Sequence, residues 1–195
     1  MKSIQAIALA LVFITAFSCK QAKKETEEAT EEVEETVDQM VETTEPESIT
    51  FSMEPKSDSN VNGEVVFTQE NGNVTMKATF TGLDEGEHAI HLHEKADCSS
   101  ADGKSTGGHW NPTFEKHGKW GAEDGYHKGD IGNFTADADG NATVDFSTDE
   151  WCIGCDDEKK NILGKAVIVH QGVDDYTSQP SGAAGARIAC TGIIQ

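Results

Sequence analysis

Asn71-Gly72 stands between two segments whose apolar residues alternate, Glu64-Val-Val-Phe-Thr-Gln69 and Asn73-Val-Thr-Met-Lys-Ala-Thr-Phe80. Residues of that type favour the positive-φ backbone of a two-residue hairpin. A period of two then turns one face of each strand to a core and the other to water. The same signal recurs at Asp139-Gly140, where Ile131 to Ala136 and Ala142 to Phe146 predict a second hairpin. His88 to His93 and Lys165 to His170, rich in Ile, Leu and Val, are two further strands. The chain shows no internal repeat and no sustained helical pattern, and its 19 glycines against four prolines suit many turns. An all-β domain follows: a Greek-key antiparallel β-sandwich or barrel, immunoglobulin-like in arrangement. Two long stretches, about 94–130 and 171–186, lack strand character. Loops of that length in a compact domain are usually functional or cross-linked.

The N-terminus reads as an address. Lys2 precedes an apolar run from Ile4 to Phe17, too short for the roughly 20 residues a helix needs to span a bilayer. Residues 1–18 are therefore expected to be a secretory signal peptide. The run ends in Ala16-Phe17-Ser18-Cys19, which resembles a bacterial lipobox, with Ala where Leu is commoner. That resemblance implies a lipidated Cys19 as the first mature residue and a membrane partner through the lipid anchor; the alternative is an ordinary cleaved signal with an incidental cysteine. Residues 19–47 follow as an acidic disordered tether, with eleven acids against three bases. Residues 48–195 form the domain. Lys20 lacks the acidic character associated with inner-membrane retention in some bacteria. The expected location is thus the periplasmic face of the outer membrane or the cell surface.

A net charge of −20 argues against nucleic acid as a partner, since phosphate binding needs clustered Lys and Arg. It does not exclude a small anionic substrate. The tether holds a net −8, and at a screening length of about 8 Å local groups outweigh distant ones.

Histidines carry the most chemical information. In a strand, residues i and i+2 point to one face, so His91 and His93 can reach a common point. Taken alone that pair reads as surface histidines, and His170 as a satisfied core histidine. The stretch 94–130 changes the balance, with His109, His117, His127 and Asp130 at intervals of 8, 10 and 3. Three imidazoles and a carboxylate suit a closed tetrahedral zinc site, whereas an all-nitrogen set at His91, His93 and His170 suits copper.

Six segments then align with one family. Gly86-Glu-His-Ala-Ile-His-Leu-His93, Gly108-His-Trp-Asn-Pro112, Lys116-His-Gly118, His127-Lys-Gly-Asp-Ile-Gly-Asn133, Val167-Ile-Val-His170 and Gly185-Ala-Arg-Ile-Ala-Cys190 resemble, in order, the motif series of copper-zinc superoxide dismutases. The resemblance covers about Val61 to Gln195. It implies that His91, His93, His109 and His170 bind copper, and that His109, His117, His127 and Asp130 bind zinc, with His109 bridging. It also implies that Arg187 guides the substrate, superoxide anion, although an arginine at that place would ordinarily be a surface ion-pair residue. His88 would be a buried ring bonded to backbone. Asp174 would link a copper histidine to a zinc histidine from behind, with Asp175 as its competitor.

The resemblance further implies a disulfide between Cys98 and Cys190. Cys152-Ile-Gly-Cys155 lies outside the family pattern and reads first as a short-loop disulfide, with an extra metal or copper-transfer site, or free thiols, as alternatives. Asp156 to Asn161 looks like an insertion. The implied activity is dismutation of superoxide to oxygen and hydrogen peroxide, an antioxidant role outside the cytoplasm. The alternative is a non-catalytic copper-buffering or copper-delivery module on the same fold. The sequence leaves a homodimer open.

Overall fold

A computed structural model describes residues 47–195. The expected signal peptide, Cys19 and the tether as far as residue 46 lie outside the described residues. Among the described residues there are eight strands: β1 (Glu47–Pro55), β2 (Asn62–Glu70), β3 (Asn73–Thr81), β4 (Gly86–His93), β5 (Gly132–Ala136), β6 (Ala142–Thr148), β7 (Ala166–His170) and β8 (Arg187–Gly192). One 3₁₀ turn, Lys104–Thr106, interrupts the longer loop. All pairings are antiparallel, in the order β5-β4-β7-β8-β1-β2-β3-β6. The terminal strands β5 and β6 meet at one corner, giving a nearly closed barrel. The all-β Greek-key expectation holds.

The β2–β3 hairpin forms as its sequence predicts. Glu70 pairs with Asn73, and Asn71 and Gly72 take φ of 51° and 77°, the doubly positive backbone of a type I′ turn. The second expected hairpin does not form. Asp139-Gly140 does turn the chain, with Asp137 N–H donating to Asn141 O at 2.9 Å. However, β5 takes its ladder from β4 and β6 takes its ladder from β3. Leu83, from the β3–β4 connection, donates to Gly140 O at 3.2 Å, so this turn closes an end of the barrel. The signal was local, while the pairing was decided by distant partners.

β1 has no counterpart in the sequence reading. Its Ile49, Phe51 and Met53 alternate with Ser and Thr and turn towards the core beside β2. The barrel interior is filled by such alternating residues, among them Val65 and Phe67 of β2 and Val74, Met76, Ala78 and Phe80 of β3, all essentially inaccessible.

β4 and β7 behave differently, because both of their faces are buried. Ile90 and Leu92 of β4, with Val167 and Val169 of β7, point into the barrel. By parity Ala89, His91 and His93 point outward, as do Ala166 and Ile168, and the two long loops cover that outer face. Cys190 packs there beside Ala166 and Ile168. The outer faces of these two strands are where the chemistry collects.

Candidate metal centre

β4 and β7 pair in register, with His91 opposite Ile168 and His93 opposite Ala166. A bulge between Val169 and His170 ends the β7–β8 ladder with His170 opposite Arg187. Bulges re-aim side chains, and this one brings His170 beside the two β4 histidines. The ring centroids of His91 and His170 lie 4.9 Å apart, and those of His93 and His170 5.6 Å.

The longer loop completes the cluster. β5 stops pairing with β4 at Ile90; beyond it Gly129 O accepts from Leu92 N–H at 2.9 Å, and Leu92 O accepts from Trp110 N–H at 2.8 Å. This clip sets His109 against His93 in an isolated bridge, with its ring 4.0 Å from that of His91. Two groups result: His91, His93, His109 and His170, and His109, His117, His127 and Asp130, all buried. Within each, the ligand atoms lie no more than 4.8 Å apart, and His109 belongs to both.

The chemistry of the donor atoms fits metal ions. The buried nitrogens without a hydrogen-bond partner are His91 Nδ1, His93 Nε2, His109 Nε2 and His170 Nε2 in the first group, and His117 Nδ1 and His127 Nδ1 in the second. A buried polar atom left alone is costly. In four of the five histidines outside the shared position, the other ring nitrogen is anchored. His91 Nε2 lies 2.8 Å from Asp174 Oδ2, and His117 Nε2 lies 2.8 Å from Asp174 Oδ1. His93 Nδ1 donates to Gly107 O at 3.0 Å and His170 Nδ1 to Gly185 O at 3.4 Å. Such anchors fix tautomer and ring direction and leave the opposite nitrogen lone pair free for an ion. His109 Nδ1 meets Asp130 Oδ1 at 2.8 Å, while Asp130 Oδ2 accepts from His127 N–H at 2.8 Å and from Gly118 N–H at 3.2 Å.

The electrostatics separate the two groups. Burial pushes His91, His93 and His170 below the ordinary histidine value, with neighbouring rings adding to the effect for the latter two. Burial also takes His109 down to about 4, against the pull of Asp130. Burial would lower His117 too, yet the Asp130 carboxylate 2.9 Å from Nδ1 and the Asp174 carboxylate bonded at Nε2 outweigh it and raise that ring to about 9. For Asp130 and Asp174, burial favours the neutral acid, but the surrounding histidines win and hold both carboxyls far below their usual range. The rings held neutral are ready donors, His117 must give up a proton before it can bind an ion, and the ionised carboxylates supply balancing charge.

A cleft of about 770 Å³ opens over the first group, lined in part by His93, His109, His170 and Arg187. Arg187 is half-buried, and its Nη1 donates to Gly103 O at 2.8 Å and to Thr106 Oγ1 at 3.0 Å. Burial lowers its pKa somewhat, with Asp102 opposing, and a guanidinium remains a cation regardless.

The other expected residues are also placed. His88 is buried, with Nδ1 3.1 Å from His170 O and Nε2 2.9 Å from Asp84 O, a ring held by backbone. Asp174, not Asp175, reaches both groups; the exposed Asp175 carboxylate is spent on Thr177 and Ser178. Cys98 is bonded to Cys190, joining the long loop to β8, and Cys152 is bonded to Cys155.

Sequence reasoning missed three supports. Gln179 clasps His117, accepting from its N–H at 3.0 Å and donating to its carbonyl at 2.9 Å. Gly182, at φ 66°, lies so close to Asp174 and His117 that a Cβ would collide with both. The carbonyls of Gly107 and Gly185 orient two histidines through backbone alone, and a backbone acceptor leaves no signature in residue type.

Comparison with known proteins agrees with this geometry. Residues 61–194 match the family described as copper/zinc superoxide dismutase (SODC). Superoxide dismutase (Cu-Zn) 2 of Aquifex aeolicus (strain VF5) is 38% identical over 160 residues, covering 76% of this chain and 91% of that protein. Superoxide dismutase (Cu-Zn) 1 of the same organism is 38% identical over 138 residues, covering 68% and 79%. The crystal structure of a SOD-like protein from Bacillus subtilis superposes with a TM-score of 0.66 at 29% identity, covering 74% of this chain and 97% of that one.

Proposed function

The chain belongs to the copper/zinc superoxide dismutase family, and on that premise we propose that His91, His93, His109 and His170 hold its copper, that His109, His117, His127 and Asp130 hold its zinc, and that it works outside the cytoplasm. One observation carries the assignment: six orphaned imidazole nitrogens converge on two points and share His109. Copper supplies one-electron redox chemistry at the first point, and zinc supplies a fixed positive charge at the second.

The protein's own groups do the rest. Two superoxide ions and two protons yield one dioxygen and one hydrogen peroxide. Arg187 presents a cation at the cleft and binds the anionic substrate by charge-assisted hydrogen bonds. The Gly103 carbonyl and the Thr106 hydroxyl hold the guanidinium in place, so little ordering is left to the moment of binding. His109 takes up a proton at Nε2 and returns it to the developing peroxide, as a general acid. Asp130 Oδ1, 2.8 Å from Nδ1, turns that nitrogen toward the second point, where zinc would take it. A copper-buffering module would need the four histidines but not Arg187.

The test is the decay of superoxide by pulse radiolysis, with one copper and one zinc per chain verified by metal analysis. Wild-type protein is expected to accelerate decay by orders of magnitude. His91→Ala should abolish the effect, and Arg187→Glu should cut it by about 10-fold or more, through loss of one charge-assisted contact and reversal of the local charge. Wild-type decay no faster than that of His91→Ala would refute the enzyme reading.

The extracytoplasmic role rests on the apolar start of the chain, on Cys19, and on two disulfides that need an oxidising compartment. Lipidation of Cys19 anchors the protein to a membrane. Fractionation of wild-type and Cys19→Ala cells checks it: the variant should leave the membrane fraction, and equal partition would refute the anchor.

A further inference from the structure

The segment that follows β6 carries the second disulfide and has no part in either ligand group. It nonetheless holds the loop bearing His127 and Asp130. Glu150 Oε1 accepts from the Tyr126 hydroxyl at 2.6 Å, and Glu150 Oε2 pairs with Lys128 Nζ. Trp151 Nε1 donates to Lys128 O at 2.8 Å. Two consecutive residues thus grip both chain neighbours of His127.

Trp151 is among the most deeply buried side chains, with Phe146 at 4.9 Å between ring centroids, Trp120 at 5.9 Å and Phe67 at 6.3 Å. Trp120 in turn lies 4.9 Å from Tyr126, so the aromatic cluster ties the same loop to β2 and β6. The next residue is Cys152. Its N–H donates to Lys160 O at 2.8 Å, its carbonyl accepts from Ile162 N–H at 3.0 Å, and its sulfur is bonded to that of Cys155. Ile153 N–H donates to Gln69 Oε1 of β2 at 2.7 Å. The disulfide closes the turn that directly follows the buried Trp151.

From this we propose that Glu150 and Trp151 are positioning residues for the His127–Asp130 end of the second group, and that the Cys152–Cys155 disulfide is a redox lock on that grip. The inference rests on the reading above that the second group holds zinc. Cys155 is the more exposed partner and the point of attack for a protein or small-molecule dithiol. A thiolate of the reductant attacks Cys155 Sγ, breaks the S–S bond with Cys152 leaving as its thiolate, and forms a mixed disulfide with Cys155. The second thiol of the reductant then displaces Cys155. Two electrons and two protons pass to Cys152 and Cys155 as thiols, and the reductant leaves as its own disulfide. The ligands are untouched, but the turn behind Trp151 loses its closure and zinc is held less tightly.

The experiment uses the full metal-loaded protein. Zinc release to a chromophoric chelator is timed for wild type, Cys152→Ser/Cys155→Ser, Trp151→Phe and Glu150→Gln, with thiol titration showing Cys98–Cys190 intact. Cobalt(II) in place of zinc adds a visible spectrum that reports ligand geometry. The cysteine pair variant and Trp151→Phe, which keeps a ring but lacks the N–H, should release zinc about 10-fold faster with a shifted cobalt band, whereas copper release changes less than about twofold. Glu150→Gln keeps the Tyr126 contact and should fall between. Normal zinc uptake with unchanged release in the cysteine pair variant overturns the lock, as does equal acceleration of copper release. Failure of the wild type to bind zinc overturns the zinc reading as well.

Discussion

His91, His93 and His170 stand on strands whose ladders fix their spacing, whereas His117, His127 and Asp130 stand on a loop with almost no regular backbone. The strand-borne histidines need only one further contact each, to Asp174 or to a glycine carbonyl. The loop-borne residues are held by a web of side chains: Asp174 and Gln179 on His117, and Glu150 and Trp151 around His127. Where the backbone ladder supplies the geometry, side chains are free for chemistry. Where it does not, four side chains from two separate segments must supply it, and each is a place where the site can be loosened.

This contrast can be attacked at its strand end first. Leu92 is fully buried between the two β4 histidines and faces the barrel interior. Leu92→Ala is expected to cost about 2–5 kcal/mol of global stability, measured by denaturant unfolding of metal-free protein. Loop-borne residues should show no comparable global penalty; a Gln179→Ala variant equally destabilised would erase the distinction.

Asp174→Asn probes the junction. The amide keeps the volume but cannot accept from both rings, so affinity for both metals should fall together, by about 10- to 100-fold in competition titrations. Loss confined to one metal would show that Asp174 serves one group only.

The smallest effect is in pH, and its sign differs between the groups. In metal-free protein the strand-borne histidines are held below 6.5, so the unfolded chain binds protons more readily and stability falls as pH drops below 6.5. His117 is raised to about 9, so its contribution is complete below 6.5 and is lost as pH rises through about 9. Denaturant unfolding across that range should give a maximum near neutrality. His117→Gln should remove the alkaline limb and keep the acidic one; an unchanged alkaline limb would assign it elsewhere.

Much of this was legible in the residues. His91 and His93 share a face because strands alternate, and Asn71-Gly72 dictates its own turn. β1 escaped notice because Ile49, Phe51 and Met53 follow directly on an acidic run, and three alternating apolar residues without a flanking turn signal are a weak mark of a strand. Asp139-Gly140 predicted a turn correctly but not its ladder, since pairing depends on Leu83 and on strands far away in sequence. Gln179 is an unremarkable glutamine until cross-chain proximity makes it a clasp. The Cys152–Cys155 spacing was compatible with several chemistries, and only their placement together behind Trp151 narrows them.

One ring and one carboxylate have a further consequence. His109 belongs to both groups, and Asp174 touches a ring in each. Occupation of either point by an ion therefore orders atoms that the other point requires. Binding at the two points is then thermodynamically coupled, and coupling is reciprocal: whatever factor the first ion confers on the second, the second confers on the first. Couplings of this kind usually amount to about 5- to 150-fold. Partly loaded chains should accordingly be scarce in a metal-limited supply, with full and empty molecules side by side.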